Sequence, residues 1–369
     1  MQPIANLTGL LTYTACRQSR YKGGLKGRRM ATMVATLKDV AERAGVSRSA
    51  VSRAFTDGAS VSAKMRKRVE KAASELGFSP NVLASSLTTG RTKLIGLVSN
   101  NFHNPIFLEV FDLFTRALQD QGLRPLLVNL TDETDPANSV RMLRQYSVDG
   151  VVVASSTLPP AFGKAFRDAG VPVVHAFGRV TSAPEVHVVG IDNIDAGRLA
   201  AQTLIARGYQ QVAFMGGPEV ATSTQDRLKG FLQELALHPQ ISVSQSFAKA
   251  YSFEAGREEM QALLRRDYAE AYFCGDDVLS IGALSAIQDR QLCVPDDIGI
   301  IGLNDMEIAG WHNINLTTIR QPIKEIVTSS IELITAMLRE PARLPEARIF
   351  ACQIVERGTL RPLPITAAA

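Results

Sequence analysis

The sequence predicts a small all-α head joined to an α/β body whose parallel sheets are covered by helices on both faces. Two patterns carry this expectation. Between residues 36 and 90 apolar residues recur at helical spacing, with Ser and Gly where helices start and stop. From residue 94 onward short apolar runs alternate with helical stretches, as in strands buried between helical layers. The charge divides at the same point: residues 1–90 hold 15 Lys+Arg against 5 Asp+Glu, and the rest hold 25 against 31. A basic head on an acidic body suits contact with a polyanion.

The stretch before residue 34 reads as a disordered basic arm, or as a start placed too far upstream, since Met30 and Met33 precede the first patterned segment. Its basic residues follow the uncharged stretch instead of leading it, the wrong order for a secretory signal. No apolar run approaches the ~20 residues needed to span a bilayer. Cys16, Cys274, Cys293 and Cys352 are far apart with no C-x-x-C, which argues against a disulfide framework or a zinc site and for a reducing cytoplasm. No metal and no cofactor is expected.

Three helices are expected over residues 34–79. Leu37, Val40, Ala41 and Ala44 give the first an apolar face, and Gly45 ends it in the left-handed turn that glycine tolerates. Ser47 caps a second helix running through Phe55, with Val51, Ala54 and Phe55 inward and Arg48, Ser49, Ser52 and Arg53 outward. Ser62 caps a third, with Met65, Val69, Ala72 and Leu76 at helical spacing, closed by Gly77 and Pro80. Small Ala41, turning Gly45 and a Val six residues later suit a helix-turn-helix.

The run from Thr36 to Leu87, with its D-V-A-x-x-A-G-V-S, V-S-R and L-G-F-x-P-N motifs, resembles the DNA-binding head of the lactose-repressor (LacI/GalR) family. The likeness continues through the body to about Thr359. It implies that Arg48, Ser49 and Arg53 face base edges in the major groove, where Arg suits a bidentate contact with guanine. Thr36, Ser47 and Ser52 would hold phosphates, fixing register without reading sequence. Two positions depart from the family: Thr56 stands where Asn is usual and Met65 where Thr is usual. The cluster Lys64, Arg66, Lys67, Arg68 and Lys71 compensates non-specifically.

Residues 80–93 match the family's hinge helix in their N-x-x-A-x-x-L spacing. Alone the segment is too short for a stable helix in water. By likeness Leu87 is a wedge that unstacks the central step of the minor groove, and Ala84 packs beside it. Packing of Leu87 on the body is the alternative.

Over residues 94–360 strands are expected at Leu94–Val98, Gly150–Ala154, Gln211–Met215, Ala271–Cys274 and Ile298–Leu303, among others. The resemblance sharpens this to a periplasmic-binding-protein-like body of two doubly wound lobes: one of about residues 94–190 and 323–339, the other of about 191–319 and 350–360, with a tail at 361–369. Ligands in such folds sit beyond the carboxyl ends of strands, here between the lobes. That placement makes Asn104, Phe107, Asp192, Ser223, Arg227, Asp277 and Asn304 the candidate ligand residues. Carboxylates and amides suit sugar hydroxyls, Arg suits hydroxyls or an acidic group, and an aromatic face covers a ring. For Asp277 a helix cap competes with a ligand contact. Relatives often have Asn-Asp where this chain has Asp276-Asp277. Trp311, the single tryptophan, either covers the ligand or packs.

No nucleotide-binding, metalloprotease or nucleophile-elbow motif is present, so an enzyme is not expected. A periplasmic-type solute-binding receptor would share the body but lack the helix-turn-helix. The expected protein is a cytoplasmic transcriptional regulator, a homodimer on a near-palindromic double-stranded DNA operator, controlled by a small-molecule effector such as a sugar or sugar derivative.

Overall fold

A computed structural model describes residues 35–56, 59–79, 86, 90–130 and 135–364. The chain divides into two compact units, residues 1–84 and 85–369.

The head contains α1 (Leu37–Ala44), α2 (Arg48–Ala54) and α3 (Ala63–Leu76). Thr36 begins α1 with a reciprocal capping box: its hydroxyl accepts from the Asp39 N–H, and the Asp39 carboxylate accepts from the Thr36 N–H at 2.7 Å. Gly45, at φ 60°, turns the chain, and the Val46 N–H returns to the Ala41 carbonyl at 3.0 Å. Ser47 caps α2 through the Ala50 N–H and Ser62 caps α3 through the Met65 N–H. Val40, Ala41, Ala44, Val51, Ala54, Val69, Ala72 and Ala73 form the core. The buried stripe of α3 is therefore rotated from the expected one: Ala73 is buried, while Leu76 is exposed and Met65 half-buried. The other two helices cover α3 from one side only, and the small alanines let them approach.

The body contains two six-stranded sheets. The first lobe is built on β1 (Leu94–Ser99), β2 (Arg124–Asn129), β3 (Gly150–Ala154), β4 (Val173–Ala176), β5 (His187–Ile191) and β11 (Ala347–Phe350), in the order β11-β5-β4-β3-β1-β2. The second uses β6 (Gln211–Gly216), β7 (Ser242–Phe247), β8 (Ala271–Cys274), β9 (Gly299–Asn304), β10 (Thr318–Arg320) and β12 (Gln353–Val355), in the order β12-β10-β9-β8-β6-β7. Among the described residues every pairing is parallel except β10 with β12. The central strands are buried along their whole length, as parallel strands between helical layers must be.

Helices α4 (Ile106–Asp120), α5 (Pro136–Gln145), α6 (Pro160–Asp168) and α11 (Ile323–Arg339) serve the first lobe. Helices α7 (Asn193–Ile205), α8 (Thr222–Leu235), α9 (Phe253–Leu263) and α10 (Asp277–Asp289) serve the second. The chain crosses between lobes three times, after β5, after β10 and between β11 and β12. Phe350 accordingly ends a strand of the first sheet, and the segment returning to the second lobe begins later than residue 350. Strand β7, absent from the sequence expectation, is an edge strand whose first four residues are exposed, so it lacks the apolar signal of a buried strand.

Candidate functional site

Two surfaces concentrate the expected functional residues. On the head, Arg48, Ser49, Ser52 and Arg53 are all exposed and lie along one face of α2. The Arg48 guanidinium makes no hydrogen bond or ion pair among the described residues. Arg53 Nε reaches the Ser49 carbonyl at 3.4 Å, a long bond that leaves most of its donors outward. Ser47 and Ser49 share a hydroxyl contact at 2.9 Å. Thr36 and Ser47 both sit at helix starts, where backbone N–H groups favour anions. Thr56 donates its hydroxyl to the Ser52 carbonyl at 2.9 Å, ending α2 locally. Ala84 and Leu87 lie outside the described residues.

In the body, the carboxyl ends of β1, β6, β8 and β9 bring side chains together between the lobes. Asn104, after β1 in the first lobe, donates from Nδ2 to Asp276 Oδ2 of the second at 2.9 Å. Asn304 donates to the same oxygen at 2.9 Å, and Gln321, at the second crossing, donates to Asn304 Oδ1 at 2.5 Å. The other Asp276 oxygen accepts the Val278 N–H and so caps α10. Burial pushes the Asp276 carboxyl up, against the pull of the Val278 N–H, the Arg227 charge and the two amides.

Arg227 is buried in α8. Its Nε donates to Asn193 Oδ1 at 2.9 Å and Nη1 to the Gly275 carbonyl at 2.5 Å, while Nη2 makes no hydrogen bond among the described residues. Helices α7 and α8 touch backbone to backbone, because a Cβ on Gly230 would stand 1.8 Å from the Ile194 carbonyl oxygen. That approach puts Arg227 against Asn193. Ser223, one turn earlier, donates its N–H across the lobes to the Ser156 carbonyl at 3.2 Å and shares its hydroxyl with Tyr251 at 3.3 Å. Phe107 is buried and packs against Phe111 and Phe177 at centroid distances of 5.9 and 6.4 Å.

Two expected residues are placed elsewhere. The Asp277 carboxylate points into the second lobe, accepting the Met306 N–H at 2.8 Å and the Thr318 hydroxyl at 2.5 Å. It neither meets Asn104 nor caps α10; Asp276 does both. Burial pushes Asp277 up to about 7. Asp192 is exposed and caps α7 through the Ile194 and Asp195 N–H groups, whereas its neighbour Asn193 reaches Arg227. In both pairs the first residue caps its helix, but Asp276 has a second oxygen left for the other lobe, whereas Asp192 leaves the inward contact to Asn193. Asn304 and Asp305 leave β9 at φ 129° and 58°, costly conformations for L-residues. Arg320 and Arg357 hold the Asp305 carboxylate there at 2.6 Å each. Gln321 and Tyr251 carried no sequence signal, and Asp276 carried only its departure from the relatives' Asn.

Trp311 is 52% exposed and lines an apolar groove of ≈ 430 Å³ with Leu108, Ile106 and Met306.

Comparison with known proteins agrees with this arrangement. The family described as bacterial regulatory proteins, lacI family, matches residues 36–81, and the periplasmic binding protein-like domain matches residues 201–360. The transcriptional repressor PurR of Vibrio campbellii is 30% identical over 341 residues, covering 89% of this chain and 100% of the relative. The transcriptional regulator DegA of Bacillus subtilis is 29% identical over 338 residues, covering 90% and 99%. Among solved structures, the lac repressor dimer bound to operator and the anti-inducer ONPF has a TM-score of 0.78 at 26% identity, covering 89% of this chain and 100% of that one. The CelR–cellobiose complex has a TM-score of 0.65 at 27% identity, covering 88% and 99%. The fold and the exposed face of α2 define a helix-turn-helix regulator with a two-lobed body. The chain belongs to the lacI family of bacterial regulatory proteins.

Proposed function

We propose that this chain is an operator-binding transcriptional repressor whose DNA affinity is set by a small molecule held between the two lobes of the body. The observation that carries the effector site is Arg227: a buried guanidinium with one nitrogen unbonded, beside the Asp276 carboxylate that gathers amides from both lobes. A buried charge of this kind is matched by a ligand group that accepts from Arg227 and donates to Asp276. A polyhydroxylated ring meets both needs, and Phe107 supplies its apolar cover. Asn104, Asn193, Ser223 and Asn304 complete the donor and acceptor set. The CelR relative is solved with cellobiose, which favours a sugar or sugar derivative here.

On the head, Arg48, Ser49 and Arg53 read base edges, and Thr36, Ser47 and Ser52 hold phosphates. The working form is a homodimer on a near-palindromic operator, acting in the cytoplasm and not as an enzyme, with no metal or cofactor.

Two measurements test the reading. A thermal-shift screen of sugars, sugar acids and purines should raise the melting temperature of the native chain with at least one compound class, and Arg227→Ala should abolish that shift. Arg48→Ala should weaken operator binding by about 1–3 kcal/mol and relax preference at one base pair. Equal losses on specific and random DNA would remove base reading, and an unchanged thermal shift in Arg227→Ala would remove that residue from the site.

A further inference from the structure

Arg179 lies on the loop after β4 in the first lobe, yet its hydrogen-bond partners among the described residues all belong to α8 in the second. Its Nε donates to Asp226 Oδ2 at 2.7 Å and its Nη2 to Asp226 Oδ1 at 2.9 Å, a two-pronged ion pair. Nη2 also reaches the Thr222 carbonyl and Gln225 Oε1, each at 3.1 Å. The paired side chains are only 28% and 18% exposed. An Arg–carboxylate fork so shielded from water is stronger and more directional than an open surface pair.

The first two turns of α8 are therefore gripped on one face and functional on the other. Thr222, Gln225 and Asp226 meet Arg179. Ser223 and Arg227, four residues apart on the buried side, reach the cleft. Asp226 directly precedes Arg227, so a shift of the helix that frees one displaces the other. The same two turns supply the backbone contact between lobes, in which the Ser223 N–H and the Thr222 hydroxyl both donate to the Ser156 carbonyl at 3.2 and 3.0 Å.

We propose that Arg179 is a positioning residue that latches α8 to the first lobe from outside the cleft, and thereby sets both lobe closure and the placement of Ser223 and Arg227. The consequence for effector binding rests on the function proposed above; the latch itself does not.

The test needs no ligand. In the full-length protein, NMR-detected hydrogen exchange of the Ser223 amide reports opening between the lobes, because that N–H is bonded across them. Arg179→Ala and Asp226→Asn should each accelerate its exchange about tenfold, while the double variant adds no more than either alone. Arg179→Lys should fall between, since an ammonium lacks the planar fork. The exchanged pair Arg179→Asp with Asp226→Arg should restore protection. Amides inside a single lobe, such as Val152 and Phe214, should keep their rates. An unchanged Ser223 rate in Arg179→Ala overturns the proposal, as does acceleration shared equally by Val152 and Phe214. If Arg179→Ala does not fold, Asp226→Asn and the exchanged pair decide by the same readout. A failed ligand screen would remove the effector reading and leave this result standing.

Discussion

The two lobes share one strand order and divide the chemistry unequally. In the first, the amide of Asn104 reaches across to the second, and nearby the rings of Phe107, Phe111 and Phe177 pack on one another. The second carries the buried ionisable groups Arg227, Asp276 and Asp277. Their packing differs as well. A Cβ on Gly96 of β1 would meet side chains first, Leu143 at 3.0 Å, whereas one on Gly230 of α8 would strike backbone. Scaffold topology thus fixes where a site can form, while the closeness of the helices and the burial of charge fix which lobe holds it rigidly.

The titration of each interior offers the widest separation. Asp277, raised to about 7 from its ordinary 3.8, keeps a proton in the folded state that the unfolded chain has released. Its contribution to stability is whole below pH 3.8 and lost as pH rises through about 7. Replacing it in Asp277→Asn should remove a loss of about 4 kcal/mol across that window, read from unfolding free energies against pH. A wild-type slope retained by the variant would assign the effect to other groups.

His175 in the first lobe works in the opposite sense. Burial holds it down at about 4 from 6.5, against a hydrogen bond between Nε2 and the Ser155 carbonyl. Its contribution is present above pH 6.5 and lost as pH falls to about 4. His175→Gln should make the protein less acid-sensitive by about 3 kcal/mol over that range. The same midpoint series for both variants would show the two lobes titrating in opposite directions; parallel curves would erase the contrast.

Packing gives the smaller effects. Gly230→Ala should destabilise the protein by about 2–3 kcal/mol in denaturant titration and displace Arg227. Gly96→Ala should cost about 1 kcal/mol or less, because the side chains it meets need to give by only a fraction of an ångström. Equal costs would mean that α7 and α8 are no more closely locked than the first lobe.

Much of this was legible in the residues. Ser47, Gly45 and Ser62 announce the head because caps and left-handed turns depend on one residue and its immediate neighbours. The central strands announce themselves because burial on both faces demands continuous apolar runs. Edge strand β7 did not, having little buried face to reveal it. The partition of Asp276 from Asp277, and of Asp192 from Asn193, was also hidden. In each pair the first residue caps the helix, and only the approach of the neighbouring lobe or helix decides which side chain also reaches inward, Asp276 in one and Asn193 in the other.

By itself, then, the sequence determined the helix-turn-helix, the outward arginines of α2 and the alternation that makes two parallel sheets, because local sterics and hydrophobic periodicity need no distant partner. Tertiary structure alone decided that Asp276 joins Asn104, 172 positions away, that β11 returns to the first sheet, and that Arg179 grips α8 across the lobes. Those arrangements depend on close approach between segments remote in the chain, and a one-dimensional pattern carries no distance between them.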